Sequence, residues 1–171
     1  MKLKPSKKPS PANGKKASQE EFRVSLKRIL VPIDFSEHSK NALKYAVKLA
    51  GEYGSELILV YVVEPVVYPA DLGFGQATIP NIEPELSKRG KAGLEQLVKD
   101  SVSNDISART MVRTGNPFAE ILTTAKDEHA DLIVIATHGH SGVEHLIFGS
   151  TAEKVVKRAR CPVLMVREAA Y

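Results

Sequence analysis

Residues 132–167 read LIVIATHGHSGVEHLIFGSTAEKVVKRARCPVLMVR. The run LIVIA at 132–136 has no polar break, the pattern of a strand covered on both faces rather than one that alternates between core and solvent. A glycine-bearing loop follows it. Ala152, Val155, Val156 and Ala159 then recur at the i, i+3, i+4, i+7 spacing of an amphipathic helix. A second apolar run, PVLMV at 162–166, closes the stretch. Strand, helix and strand in that order form a βαβ unit, in which the helix carries the chain back so that the two strands lie parallel.

The same alternation recurs toward the N-terminus. ILVPI at 29–33 and LILVYVV at 57–63 read as buried strands, and the more polar ISARTMVR at 106–113 reads as an edge strand. Between them, Leu43, Ala46, Val47 and Ala50 mark one helix, and Phe118, Ile121, Leu122 and Ala125 mark another. Residues 84–102 form a fourth through Leu94, Leu97, Val98 and Val102, with Pro84 near its first turn. Asn116 before Pro117 supplies an N-cap ahead of a proline at the first helical position. Five strands interleaved with four helices predict an α/β domain, a five-stranded, mainly parallel open sheet with helices on both faces. Residues 64–83, rich in Pro and Gly, form a long insertion after the second strand, a lid, an interface piece or a passive surface loop.

The chain holds 24 Lys and Arg against 20 Asp and Glu, a surplus of +4 that suggests nucleic acid until its position is considered. Six lysines and no acid fall in the first 19 residues, leaving 18 basic against 20 acidic residues and a charge of −2 for the rest. Residues 1–23, rich in Lys, Pro and Ser, have little to bury and are expected to be a disordered arm, with residues 24–168 as the domain. No aromatic interleaves the arm's lysines, so nucleic-acid binding is expected only as weak phosphate contact by the arm. No apolar run approaches the length of a membrane span, and the N-terminus lacks the apolar core of a secretory signal, so a cytoplasmic location is expected. The single cysteine, Cys161, excludes an internal disulfide and reads as a small buried hydrophobe.

In open α/β sheets, ligands sit beyond the carboxyl ends of the strands, where strand order reverses. Two segments follow strands in the required way. The first strand runs into Asp34 and Ser36, the latter an N-cap for the next helix. The fourth runs into a loop framed by Gly139, Gly142 and Gly149, which opens a helix near Ser150. Glycine lets backbone N–H groups approach a ligand, and a helix N-terminus adds unpaired donors and a partial positive charge of about 0.5 e. Gly149-Ser150-Thr151 is thus a phosphate seat. Asp34 would repel phosphates but accepts hydrogen bonds from ribose hydroxyls. Each also has a purely structural reading: Asp34 as a turn or helix cap, the glycines as turn residues.

The pairing of VPIDFSEHSKNALKYA at 31–46 with the segment from Ala136 to Arg167 resembles the universal stress protein family, over about residues 26–167. ATP-binding members carry G, two residues, G, nine residues, G, then Ser or Thr. Here Gly139, Gly149 and Ser150 match, and Ala136 stands at the first glycine. The resemblance implies a strand order of 3-2-1-4-5 and a Rossmann-like, adenine-nucleotide-binding fold. It also implies Pro32 and Asp34 at the nucleoside end, Val62 lining the adenine pocket, and Gly139, Gly149, Ser150 and Thr151 at the phosphates. ATP, with Mg or Mn held through its phosphates, is the implied cofactor, and a homodimer paired through the last strand, residues 162–167, the implied assembly.

Other chemistries fit less well. His138, His140 and His145 suggest a metal site, but only Glu144 lies close in sequence, and no protein metal site is expected. GHSGV at 139–143 departs from G-x-S-x-G at Val143, and no P-loop motif occurs. The GFG at 73–75 opens no helix. Lys154 lies one turn into the last helix, and no catalytic set surrounds the loop. The expected function is an ATP-binding stress-response regulatory module. The alternatives are a nucleotide-independent interaction module of the same fold and, third, a slow nucleotide hydrolase.

Overall fold

Strand residues in this chain alternate between two cores, which is why the strands read as unbroken apolar runs. The computed structural model describes residues 25–65, 82–138 and 149–167. In chain order the elements are β1 (Arg28–Pro32), α1 (Glu37–Tyr53), β2 (Glu56–Val63), α2 (Glu83–Ser101), β3 (Ala108–Thr114), α3 (Pro117–Asp127), β4 (Leu132–Ala136), α4 (Ser150–Arg158) and β5 (Val163–Val166). Ile29, Val31, Leu57 and Leu59 pack with α1 and α2 on one face, whereas Leu30, Ile58, Ile133 and Ile135 pack with α3 and α4 on the other. Fully burying each such side chain contributes about 2 kcal/mol.

The sheet order is β3-β2-β1-β4-β5, as expected, and all four pairings are parallel. β1 continues to β2 on one side while β4 continues to β5 on the other, so the switch point lies between β1 and β4. Among the described residues, no helix is long and apolar enough to cross a membrane.

Local chemistry sets the element ends. Ser36 caps α1, its hydroxyl accepting from the Ser39 amide at 3.2 Å, and Gly54 ends the helix at φ 65°, a left-handed position that glycine fills without strain. β3 is half-buried along nearly its whole length, as an edge strand should be. β5 begins at Val163 rather than Pro162, because proline has no N–H for a ladder. Its carbonyl still accepts from the Ile133 amide at 3.0 Å. Asn116 occupies the N-cap of α3 but makes no side-chain capping bond, leaving Pro117 as the signal that starts the helix. Cys161 is half-buried rather than buried, since it lies in the turn before the edge strand β5.

Candidate functional site

The carboxyl ends of β1 and β4 border a cleft of about 520 Å³. From β1 and its exit come Pro32 and Asp34, from β2 Val62, from β4 Ala136, and from the start of α4 Gly149, Ser150 and Thr151. Residues far apart in sequence, Asp34, Gly149, Ser150 and Thr151 taken as candidates from their place after strands and Pro32, Val62 and Ala136 from the family resemblance, line one cavity. Gly139, the remaining candidate, lies outside the described residues, as do His140, His145 and residues 66–81 of the insertion expected at 64–83.

At the β1 end, Asp34 organises the turn into α1. Its Oδ1 accepts from the Ser36 amide at 3.0 Å and from the Ser36 hydroxyl at 2.6 Å. The turn role is therefore real, and the same carboxylate lines the cleft. Phe35, between them, adopts φ 65°, which costs a non-glycine residue roughly 1–2 kcal/mol. Packing holds it there: its ring lies 5.0 Å from that of Tyr61, and α2 approaches so closely that a Cβ on Gly93 would stand 2.9 Å from it.

At the β4 end, the Gly149 amide donates to the Thr137 carbonyl at 2.7 Å, tying the start of α4 to the strand exit. No side chain caps this helix end, and the amides of Ser150, Thr151 and Ala152 have no partner among the described residues. Three donors and the positive end of a helix therefore border the cavity. His138 sits beside them with Nδ1 3.0 Å from the Thr137 hydroxyl, and its ring is 5.9 Å from that of His38. The Lys154 ammonium lies 5.0 Å from the centre of the Phe118 ring, outside the cleft lining. Among the described residues, no cluster of three His, Cys, Asp or Glu side chains is placed to hold a metal ion, and no lysine or arginine lines the cleft.

Sequence reasoning missed Phe35, Tyr61 and His138 as lining residues, together with Leu86 and Pro117. One signal was available. Gly90 and Gly93 stand three apart inside a helix, where glycine is unfavourable, and each seats one of the two aromatic rings.

A doubly wound parallel sheet with a ligand-sized cleft at its switch point defines a Rossmann-like α/β protein. The family model described as the universal stress protein family matches residues 25–167, and the chain belongs to that family. It is 34% identical over 142 residues to universal stress protein MJ0531 of Methanocaldococcus jannaschii, covering 83% of this chain and 82% of that protein. It is 34% identical over 145 residues to universal stress protein YxiE of Bacillus subtilis, covering 82% and 98%. The solved structure of UspA from Lactobacillus plantarum superposes with a TM-score of 0.70 at 27% identity, over 85% of this chain and all of that one. Two structures below 25% identity share the fold: a universal stress protein in complex with cAMP (19% identical, TM-score 0.58, 84% of this chain and 98% of that one) and one from Archaeoglobus fulgidus in complex with dAMP (16%, 0.55, 84% and 98%).

Proposed function

We propose that the cleft binds ATP and that the domain acts as a stress-response regulatory module rather than as an enzyme. One observation carries the reading: a single cavity has a carboxylate, Asp34, at one wall and the uncapped amides of Ser150, Thr151 and Ala152 at another. A nucleotide has that polarity, hydroxyl donors at the ribose and acceptors at the phosphates. Val62 and Ala136 add apolar surface for a base, and the volume lies within the roughly 300–1,000 Å³ typical of ligand pockets. Fold relatives in complex with cAMP and dAMP support an adenine nucleotide. Mg or Mn would be held through the phosphates, since the described residues supply no cation cluster of their own. The absence of a lysine or arginine among the described lining residues argues against fast phosphoryl transfer. The test is to denature the purified protein and resolve the released nucleotides by chromatography: ATP in the supernatant supports the reading, and its absence there counts against it.

A second reading has its own support. The Gly149 amide is already engaged by Thr137, and Ala136 carries a Cβ where ATP-binding members have glycine. Both features suit a glycine loop that is only structural, in a nucleotide-independent interaction module.

For assembly we propose a homodimer through the last strand, residues 162–167. β5 is an edge strand, and its Leu164 is 37% exposed. The proposed setting is the cytoplasm. Residues 1–23 would act as a solvated arm making weak phosphate contacts.

A further inference from the structure

At the end of the sheet opposite the cleft, α3 and α4 finish side by side and leave a depression of about 350 Å³. Its floor is apolar, formed by Leu122, Ala125 and Ala130, and the half-buried Cys161 stands in its wall. Its rim is basic: Lys126 lies in the last turn of α3 and His129 just beyond it, Arg158 ends α4 and Arg160 follows it, and no carboxylate lines the depression. Elsewhere on the domain Lys40, Arg89, Arg109 and Lys157 each hold a glutamate. The four groups at the depression form no ion pair among the described residues. Arg158 is steadied instead over the Phe118 ring, 5.2 Å from its centre.

Helix capping does not account for the cluster. Cations do stabilise helix C-termini, and Lys126 and Arg158 lie in last turns. Arg160 and His129 lie beyond the helix ends, where backbone donors already serve the final carbonyls: Ala130 to Ala125 at 2.8 Å and Ala159 to Val155 at 2.8 Å. Asp131, the acidic group nearest in influence to Cys161, is held by the amides of Lys27 and Arg28 at 2.7 and 3.0 Å. His129 is kept on the rim at φ 51°, a left-handed position that would suit glycine better.

We infer that this depression is a second ligand site, taking a small phosphorylated organic molecule. Two guanidinium forks and an ammonium match phosphate oxygens, with Arg giving paired hydrogen bonds and Lys a point charge. The apolar floor receives the organic body. The site shares no lining residue with the cleft, so it stands or falls apart from nucleotide binding there.

Cys161 is the chain's single cysteine and therefore a reporter confined to this wall. The experiment follows its alkylation by uncharged iodoacetamide in the full chain at constant ionic strength, with glucose 6-phosphate or inorganic phosphate as probe. Millimolar glucose 6-phosphate is expected to slow the reaction about fivefold, following the occupancy relation for one site, and inorganic phosphate to slow it less. Arg160→Ser and Lys126→Ser should each remove most of the protection. His129→Gly should weaken it while relaxing the backbone, and Asp34→Asn in the cleft, remote from α3 and α4, should leave it intact. A rate unchanged by either phosphate overturns the proposal, as does protection that survives in the Arg160→Ser, Lys126→Ser double variant. Equal protection by both probes would overturn the organic ligand in favour of free phosphate.

Discussion

The Gly149 amide donates to the Thr137 carbonyl at 2.7 Å, and a Cβ on Gly149 would stand 3.2 Å from that same oxygen. Glycine here serves space rather than backbone freedom, because φ is −67°. Gly149→Val is expected to push the start of α4 away from β4, weakening ATP binding at least about tenfold while lowering stability by only about 1 kcal/mol. Calorimetry and urea denaturation separate the two effects. An unchanged affinity would mean that the helix start is not the phosphate seat.

Asp34 has two roles that a pair of variants can divide. Asparagine keeps an acceptor for the Ser36 amide and hydroxyl, whereas alanine loses both bonds and should cost about 1 kcal/mol of stability. Under the proposed function both substitutions should weaken ATP binding, because each removes the carboxylate proposed to accept from the ribose hydroxyls. Thermal unfolding alongside binding titrations is the check: a lower melting point in Asp34→Ala alone, with reduced affinity in both, is the expected pattern.

Two helix glycines predict opposite signs. At Gly51 a Cβ would meet only Cδ1 of Ile106 at 3.8 Å, an ordinary contact, so Gly51→Ala should stabilise the domain by about 0.5–1 kcal/mol through helix propensity. At Gly90 it would fall on Cδ1 of the Tyr61 ring and 2.6 Å from Cε1. Gly90→Ala should therefore destabilise by about 2 kcal/mol and disturb the Phe35–Tyr61 wall of the cleft, which near-ultraviolet circular dichroism would register.

A charged cluster fastens the amino ends of three strands and the α3 end. Arg109 reaches Glu56 at 2.9 Å and Glu128 at 2.5 Å, and the Arg28 guanidinium donates to the Glu128 carbonyl at 3.1 Å. The hydrogen bond that Arg109 donates to the Glu128 carboxylate, foremost, holds the Arg109 pKa above its ordinary value, so this group stays charged across the working pH range. The Arg109 side chain is 40% exposed, and screening reduces its value. Arg109→Ala is expected to cost about 1 kcal/mol in dilute buffer, and the difference from the parent protein should shrink in high salt.

Burial pushes the Cys161 thiol above its ordinary range, and Asp131 adds to the effect. The folded chain therefore holds this proton longer than the unfolded chain does. At neutral pH neither state ionises and the group contributes nothing to the pH dependence. As pH rises through the unfolded thiol value, about 8.5, the unfolded state ionises first and stability falls until the folded value is passed. Stability measured in the parent and in Cys161→Ala should diverge above about pH 8, with the parent losing more.

The sheet was legible in the sequence because Ile29 and Leu30, neighbours in one strand, face separate cores and so must both be apolar. Asp34, Gly149 and Ser150 were legible because local turns and helix starts demand particular residues just after strands. Contacts made only by tertiary packing were not. The Phe35–Tyr61 wall depends on how closely α2 approaches the sheet, and Lys126 and Arg160 line one depression only because α3 and α4 end together. Cys161 misled for a related reason: its apolar neighbours implied burial, but its place before an edge strand leaves it half-exposed.

The proposed function requires a nucleotide in the cleft between β1 and β4. Its most direct test is a calorimetric titration of the nucleotide-free full chain with ATP and magnesium, run beside Gly149→Val. Saturable binding in the parent protein that is lost in the variant is the predicted result. No heat of binding up to millimolar ATP, in a protein that also carried no nucleotide from purification, would contradict it.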